Sequence, residues 1–92
     1  MLIHLGRGVS VHERDVIALC DLQQPQASDG WRLAEQYRRQ GQFFPLGDNP
    51  KTLVLCRYGT KDVCYLSCVG LRTLRQRMAE RRLIEVREVQ HG

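Results

Sequence analysis

Two apolar segments, 51–58 and 62–67, flank Gly59-Thr60-Lys61, and this arrangement constrains the chain more than any other feature. Both segments are rich in Leu, Val, Cys and Tyr, and a glycine-led turn between two such runs predicts a hairpin of two strands. With 92 residues there is room for one domain over 1–92. At that size roughly 60–65% of the unfolded chain's surface can be buried, so the core is small and stability is marginal unless subunits share it.

The N-terminal third also reads as strands. Leu2-Ile3-His4-Leu5 stops at Gly6-Arg7-Gly8, whose glycines permit a tight turn. Val9 and Val11 then alternate with Ser10 and His12, the period of a half-buried strand. Val16 to Cys20 is a β-branched apolar run, read as a strand buried on both faces. Ile17 and Leu53 are expected in the core. Phe43-Phe44-Pro45-Leu46 is short and extended, and its proline points to a sheet edge.

Two segments carry helical spacing. Ser28 stands where an N-cap belongs, Trp31, Leu33, Ala34 and Tyr37 form an apolar stripe, and Gly41 supplies the residue after the helix. Glu35 and Arg39 form an i, i+4 pair in the favourable order. From Gly70 onward, Leu71, Leu74 and Met78 recur at i, i+3 and i+7. Leu83 to Val89 alternates apolar and charged residues and leaves two readings open, a last strand or a frayed tail over 84–92. The fold class expected is α+β, a small single domain with a mostly antiparallel sheet and two helices.

Charge narrows the function. Fourteen Lys and Arg face ten Asp and Glu, giving a formal charge of +4, and twelve of the fourteen are arginine. Arginine's planar fork suits bidentate contact with phosphate or carboxylate. Hydrophobic residues at 42% and charged residues at 26% are ordinary globular values, which argues against disorder. The longest apolar runs fall far short of the roughly 20 residues of a membrane helix. The chain opens on Leu2 and Ile3 with no basic n-region, so a cytoplasmic protein with reduced thiols is expected.

A catalytic centre is not expected. His4, His12 and His91 are scattered, no Ser or Cys sits in a nucleophile motif, and Gly6-Arg7-Gly8 lacks the spacing and Lys-Ser/Thr ending of a phosphate loop. Cys64 and Cys68 have metal-ligand spacing, but Cys20 and Cys56 have no close partner. The four are read as small buried apolar side chains, with a metal or redox role for Cys64 and Cys68 as the open alternative. No cofactor or small-molecule substrate is implied. No aromatic stacking platform is evident, since Phe43 and Phe44 are adjacent and Trp31 belongs to the helix stripe. In residues 70–92, Arg72, Arg75, Arg77, Arg81, Arg82 and Arg87 outnumber Glu80, Glu85 and Glu88. Such a helix either lies along a nucleic-acid backbone or is a solvated face pairing with a neighbouring subunit.

Strings spread over most of the chain resemble a known family. Leu2-Ile3-His4-Leu5-Gly6, Asp15 to Leu22, Pro50 to Leu55, Tyr65-Leu66-Ser67 and Thr73 to Arg77 occur in the order found in the RemA/RemB family, small bacterial regulators of extracellular-matrix and biofilm genes. The opening LIHLG, the RDVIALCDL segment and the late TLRQR resemble the RemB branch. The resemblance implies a subunit that assembles into a ring-shaped homo-oligomer, binds double-stranded DNA through arginines, and acts in transcription at the nucleoid. It places a DNA-binding arginine at Arg14, just before the long apolar strand, and a further basic contact at Lys51. Asp48 and Asn49 stand where the RemA branch carries an arginine pair, and Arg7 is the added candidate that compensates. The alternative is a ring-forming protein-interaction scaffold with little DNA affinity of its own.

Overall fold

The computed structural model describes residues 1–24 and 28–78. Along the chain these form β1 (Leu2–Gly6), β2 (Val9–His12), a 3-10 turn (Glu13–Asp15), β3 (Val16–Asp21), α1 (Ser28–Gln40), β4 (Phe43–Pro45), β5 (Thr52–Tyr58), β6 (Lys61–Ser67) and a second helix, α2, over 71–78. The expected α+β fold is therefore the observed one. The connector residues 25–27 and the segment 83–89 lie outside the described residues.

The predicted hairpin is the centre of the molecule. β5 and β6 pair antiparallel from Thr52↔Ser67 to Tyr58↔Lys61, so Gly59 and Thr60 alone make the turn, with Gly59 at φ 64°. β3 adds antiparallel to the free side of β5, and β4 adds parallel to β6, giving the order β3-β5-β6-β4. Pro45 thus lies on an edge strand, where its missing N–H costs no ladder bond. β1 and β2 form a separate two-stranded ribbon.

Period two along β5 and β6 divides the core into two layers. Leu53 and Leu55 of β5, with Cys64 and Leu66 of β6, pack against Leu22 and Ala34 on the α1 side. Val54 and Cys56 point the other way and meet Ile3, Leu5 and Val11 of the ribbon and Leu74 of α2. The order of layers is α1, four-stranded sheet, then ribbon with α2. Two buried hydroxyls anchor the third layer to the second. Ser67 Oγ donates to the Leu5 carbonyl at 2.6 Å and accepts from the Val69 N–H at 3.0 Å, while Thr52 Oγ1 donates to the Val69 carbonyl at 2.8 Å. Both side chains are fully buried, and their bonds satisfy them there.

Two core expectations change. Leu53 is fully buried, but Ile17 is 44% exposed. β3 is an edge strand, and its register steps from Val16↔Cys56 to Ala18↔Leu55, so Ile17 is the extra residue of a bulge. Its side chain lies outside the sheet's inward alternation, at a shallow groove shared with Arg75 and Met78. Trp31 is likewise 43% exposed, although the helical stripe included it. α1 docks through Gly30 and Ala34, both buried, with Leu33 and Tyr37 beside them. A Cβ at Gly30 would stand 3.1 Å from Leu22 Cδ2, so the helix approaches closely by that edge and turns Trp31 to solvent. Gly41 closes α1 at φ 77°, as its position predicts.

Candidate nucleic-acid interface

The ribbon turn presents Arg7 in an unusual way. Gly6, Arg7 and Gly8 all have positive φ, at 113°, 52° and 76°. Glycine tolerates this conformation, whereas arginine there costs about 1 kcal/mol. A Cβ at Gly6 would fall 2.4 Å from Cys68 Sγ, so the turn also needs a residue without a side chain at that point. The Arg7 guanidinium runs out over Gly47, its Nε 3.5 Å from where a Cβ would stand. Arg7, Val9, Pro45, Leu46, Gly47 and Asp48 line an open recess of about 430 Å³ there.

Lys51 lies at the same end of the sheet as this recess. Its N–H donates to Ser67 O at 2.8 Å, and its carbonyl accepts from Leu22 N–H at 2.9 Å, which fixes the backbone at the base of β5. Leu46 N–H bonds Leu66 O, so the 46–51 loop leaves and returns at the end of β6. Arg14 is elsewhere: it is exposed in the 3-10 turn ahead of Val16, which pairs with Cys56. Lys51 adjoins the Asp21↔Thr52 pair at the opposite end of that ladder. Four steps along β5 separate the two ends, about 13 Å. The structure thus brings Arg7 and Lys51 to one end of the sheet and leaves Arg14 at the other.

Charge is sorted by layer. β1, its turn, β2 and residues 70–78 carry Arg7, Arg72, Arg75 and Arg77 and no Asp or Glu. All four arginines are exposed, and none makes an ion pair among the described residues. Arg77 instead donates to the His4 carbonyl at 3.2 Å, which ties α2 to the ribbon. On the α1 side three cations are neutralised: Glu35 holds Arg38 and Arg39, and Arg57 grips Asp62 through two bonds of 2.7 and 3.1 Å, while Arg32 is exposed with no ion pair among the described residues. The partner guanidinium holds each of these carboxyls below its ordinary value. Composition left the role of Arg72, Arg75 and Arg77 open, and the acid-free layer emerges only once ribbon and α2 are seen side by side.

Cysteine chemistry does not converge on this interface. Burial pushes the Cys56 thiol up to about 11 and the Cys64 thiol up to about 12, so both stay protonated at neutral pH. They behave as small apolar core residues, as the sequence predicts, whereas Cys68 is exposed beside Gly6. Among the described residues no group of three or more His, Cys, Asp or Glu is placed to hold a metal ion.

The sheet face next to Arg7 carries a feature missed in the sequence. Adjacent residues of a strand point to opposite faces, so Phe43 joins the α1-side core while Phe44 lies on the other face. There its ring stacks on Tyr65, with centroids 5.8 Å apart and planes at 29°. Tyr65 Oη lies 3.0 Å from Tyr58 Oη. The absence of an aromatic platform inferred from the Phe43-Phe44 adjacency is therefore corrected. The signal was the period-two alternation itself.

Comparison with protein-family models gives no match to the chain, and comparison with characterised protein sequences gives none either. Among the described residues no helix is long and apolar enough to cross a membrane.

Proposed function

We propose that the chain is the subunit of a ring-forming, DNA-binding transcriptional regulator of extracellular-matrix genes, acting in the cytoplasm at the nucleoid. The observation that carries the DNA contact is the outer layer of ribbon and α2, where Arg7, Arg72, Arg75 and Arg77 are exposed and make no ion pair among the described residues. A duplex laid on that layer meets these four arginines, with Asp48 beside Arg7 as the nearby acid, and each phosphate neutralised releases condensed counterions. Arg7 is kept in a costly backbone conformation at an exposed turn, a pattern that accompanies function more often than packing. Lys51 extends the contact at the same end, and Arg14 adds a second point at the other end of the β3–β5 ladder. Such contacts position a backbone without reading bases, so binding is tolerant of sequence and selects deformable DNA. Assembly is supported by the outer edge of β3, which pairs with no strand among the described residues, and by the exposed Ile17 on it, together with the small core. The regulatory role and the ring rest on the family resemblance.

A second reading, the ring-forming scaffold with little DNA affinity, is favoured by one observation: Arg14 and Lys51 stand at opposite ends of the β3–β5 ladder. Fluorescence anisotropy with a short duplex separates the two. Arg72→Glu/Arg75→Glu is expected to abolish binding with the fold intact, and Arg14→Glu/Lys51→Glu to weaken it. Wild-type protein that fails to bind the duplex would leave the scaffold.

A further inference from the structure

The ribbon and α2 cover only part of the sheet face they pack on. Val54 and Cys56 beneath them are fully buried, whereas toward β4 the same face is open, with Phe44 51% and Tyr58 40% exposed and Tyr65 half-buried between them. The three rings come from β4, β6 and the end of β5, and they touch in sequence, Phe44 on Tyr65 and Tyr65 to Tyr58. A cation stands at each end of the row. Arg7 lines the recess that includes Pro45, the residue after Phe44. Lys61 is the cross-strand partner of Tyr58, and opposite residues in an antiparallel pair project to the same face. Neither cation has an ion-pair partner among the described residues. Of the nearby acids, Asp48 faces Arg7 across the recess, and Asp62 is held by Arg57.

We propose that this open half-face binds single-stranded DNA, stacking unpaired bases on Phe44 and Tyr65 while Arg7 and Lys61 meet the flanking phosphates. Exposed aromatic rings across neighbouring strands, bordered by cations, are what a sequence-tolerant single-strand surface requires, because every base has a π-face and every link a negative charge. A second copy of the chain is a poorer occupant. A polyanion neutralises Arg7 and Lys61, whereas a second copy brings a net charge of +4 of its own. Stacking and backbone charge are common to DNA and RNA single strands, and the oligo-dT and oligo-U arms of the test distinguish them. The surface is separate from the α2 arginines, so the inference does not rest on duplex binding.

The test is fluorescence anisotropy of the full chain with a labelled oligo-dT, with oligo-U and duplex DNA as parallel probes. Phe44→Ala is expected to weaken oligo-dT binding about tenfold or more, and Phe44→Tyr to stay within about twofold of wild type. Duplex affinity is expected to be unchanged in both. Since Phe44 is half-exposed, the variants fold, and circular dichroism checks this. Absence of oligo-dT binding by the wild type, or unchanged affinity in Phe44→Ala, overturns the proposal. Tighter binding of oligo-U than of oligo-dT overturns its assignment to DNA. A drop in oligomer mass for Phe44→Ala without any oligo-dT binding assigns the face to a second copy and overturns it equally. Loss of duplex binding in Arg72→Glu/Arg75→Glu with oligo-dT binding retained separates this surface from the duplex interface.

Discussion

Replacing Ser67 by Ala removes one oxygen and detaches two parts of the fold. Ser67 Oγ bonds the Leu5 carbonyl of β1 at 2.6 Å and the Val69 N–H ahead of α2 at 3.0 Å, in a position with no solvent exposure. The alanine variant takes a donor from the buried Leu5 carbonyl and an acceptor from the partly buried Val69 N–H. Leaving a buried polar group without its partner costs about 1–3 kcal/mol, so the pair is expected to cost about 2–3 kcal/mol after relaxation. A chain of this length has a total stability of about 5–14 kcal/mol. The variant therefore folds, with Tm lower by about 10–20 °C. Urea unfolding followed by circular dichroism measures the loss as a lower midpoint at unchanged slope. Ser10→Ala is the control, because Ser10 is exposed and only 3.4 Å from His4 Nδ1, and it is expected to change stability by less than about 0.5 kcal/mol. A Ser67→Ala effect no larger than that of Ser10→Ala would refute the idea that buried hydroxyls fasten the ribbon to the sheet.

Other consequences are equally direct. Leu53→Ala is expected to cost about 2–5 kcal/mol and Ile17→Ala less than about 1 kcal/mol, since only Leu53 is enclosed; equal costs in urea unfolding would contradict the bulge at Ile17. Arg7→Gly relieves a positive φ and is expected to hold or raise Tm while weakening duplex binding; a marked fall in Tm would show that Arg7 is a packing residue. Thiol labelling near pH 8 is expected to modify Cys68 quickly and to reach Cys56 and Cys64 only on unfolding. Because burial raises both thiols above their unfolded value near 9, their contribution to stability is complete below that pH. It is lost as pH climbs toward about 11 for Cys56 and about 12 for Cys64, so a Cys56→Ala/Cys64→Ala variant should show a shallower alkaline decline of Tm than wild type.

Much of the fold was legible because its signals are local. The alternation around Gly59, the Leu71-Leu74-Met78 spacing and the glycine after α1 each depend on residues a few positions apart. What escaped depends on contacts between distant segments. Ser67 reaches Leu5 across 62 residues, and that docking decides which part of the sheet face is covered and which leaves Phe44 and Tyr58 in solvent. Trp31 fitted the helical stripe, and only the close approach of Gly30 to Leu22 shows that the helix docks by the glycine edge instead. Ile17 read as core because a bulge has no signature in an unbroken apolar run. The site was legible in part. Arg7, Arg14 and Lys51 are identifiable along the chain, but the gathering of Arg7, Arg72, Arg75 and Arg77 into one layer, while Glu35 and Asp62 take up Arg38, Arg39 and Arg57 in the other, is a product of the fold.

The central claim is that the outer layer binds DNA by charge. The most direct measurement is the affinity of the wild-type protein for a fluorescein-labelled duplex by anisotropy, repeated across a series of salt concentrations. The account predicts binding at low salt that weakens as salt rises, with a log–log slope of about −0.9 for each phosphate contacted, and therefore a slope of about −3 to −4 if the four arginines of one outer layer are engaged. Absence of binding at the lowest salt, or an affinity insensitive to salt, would contradict it.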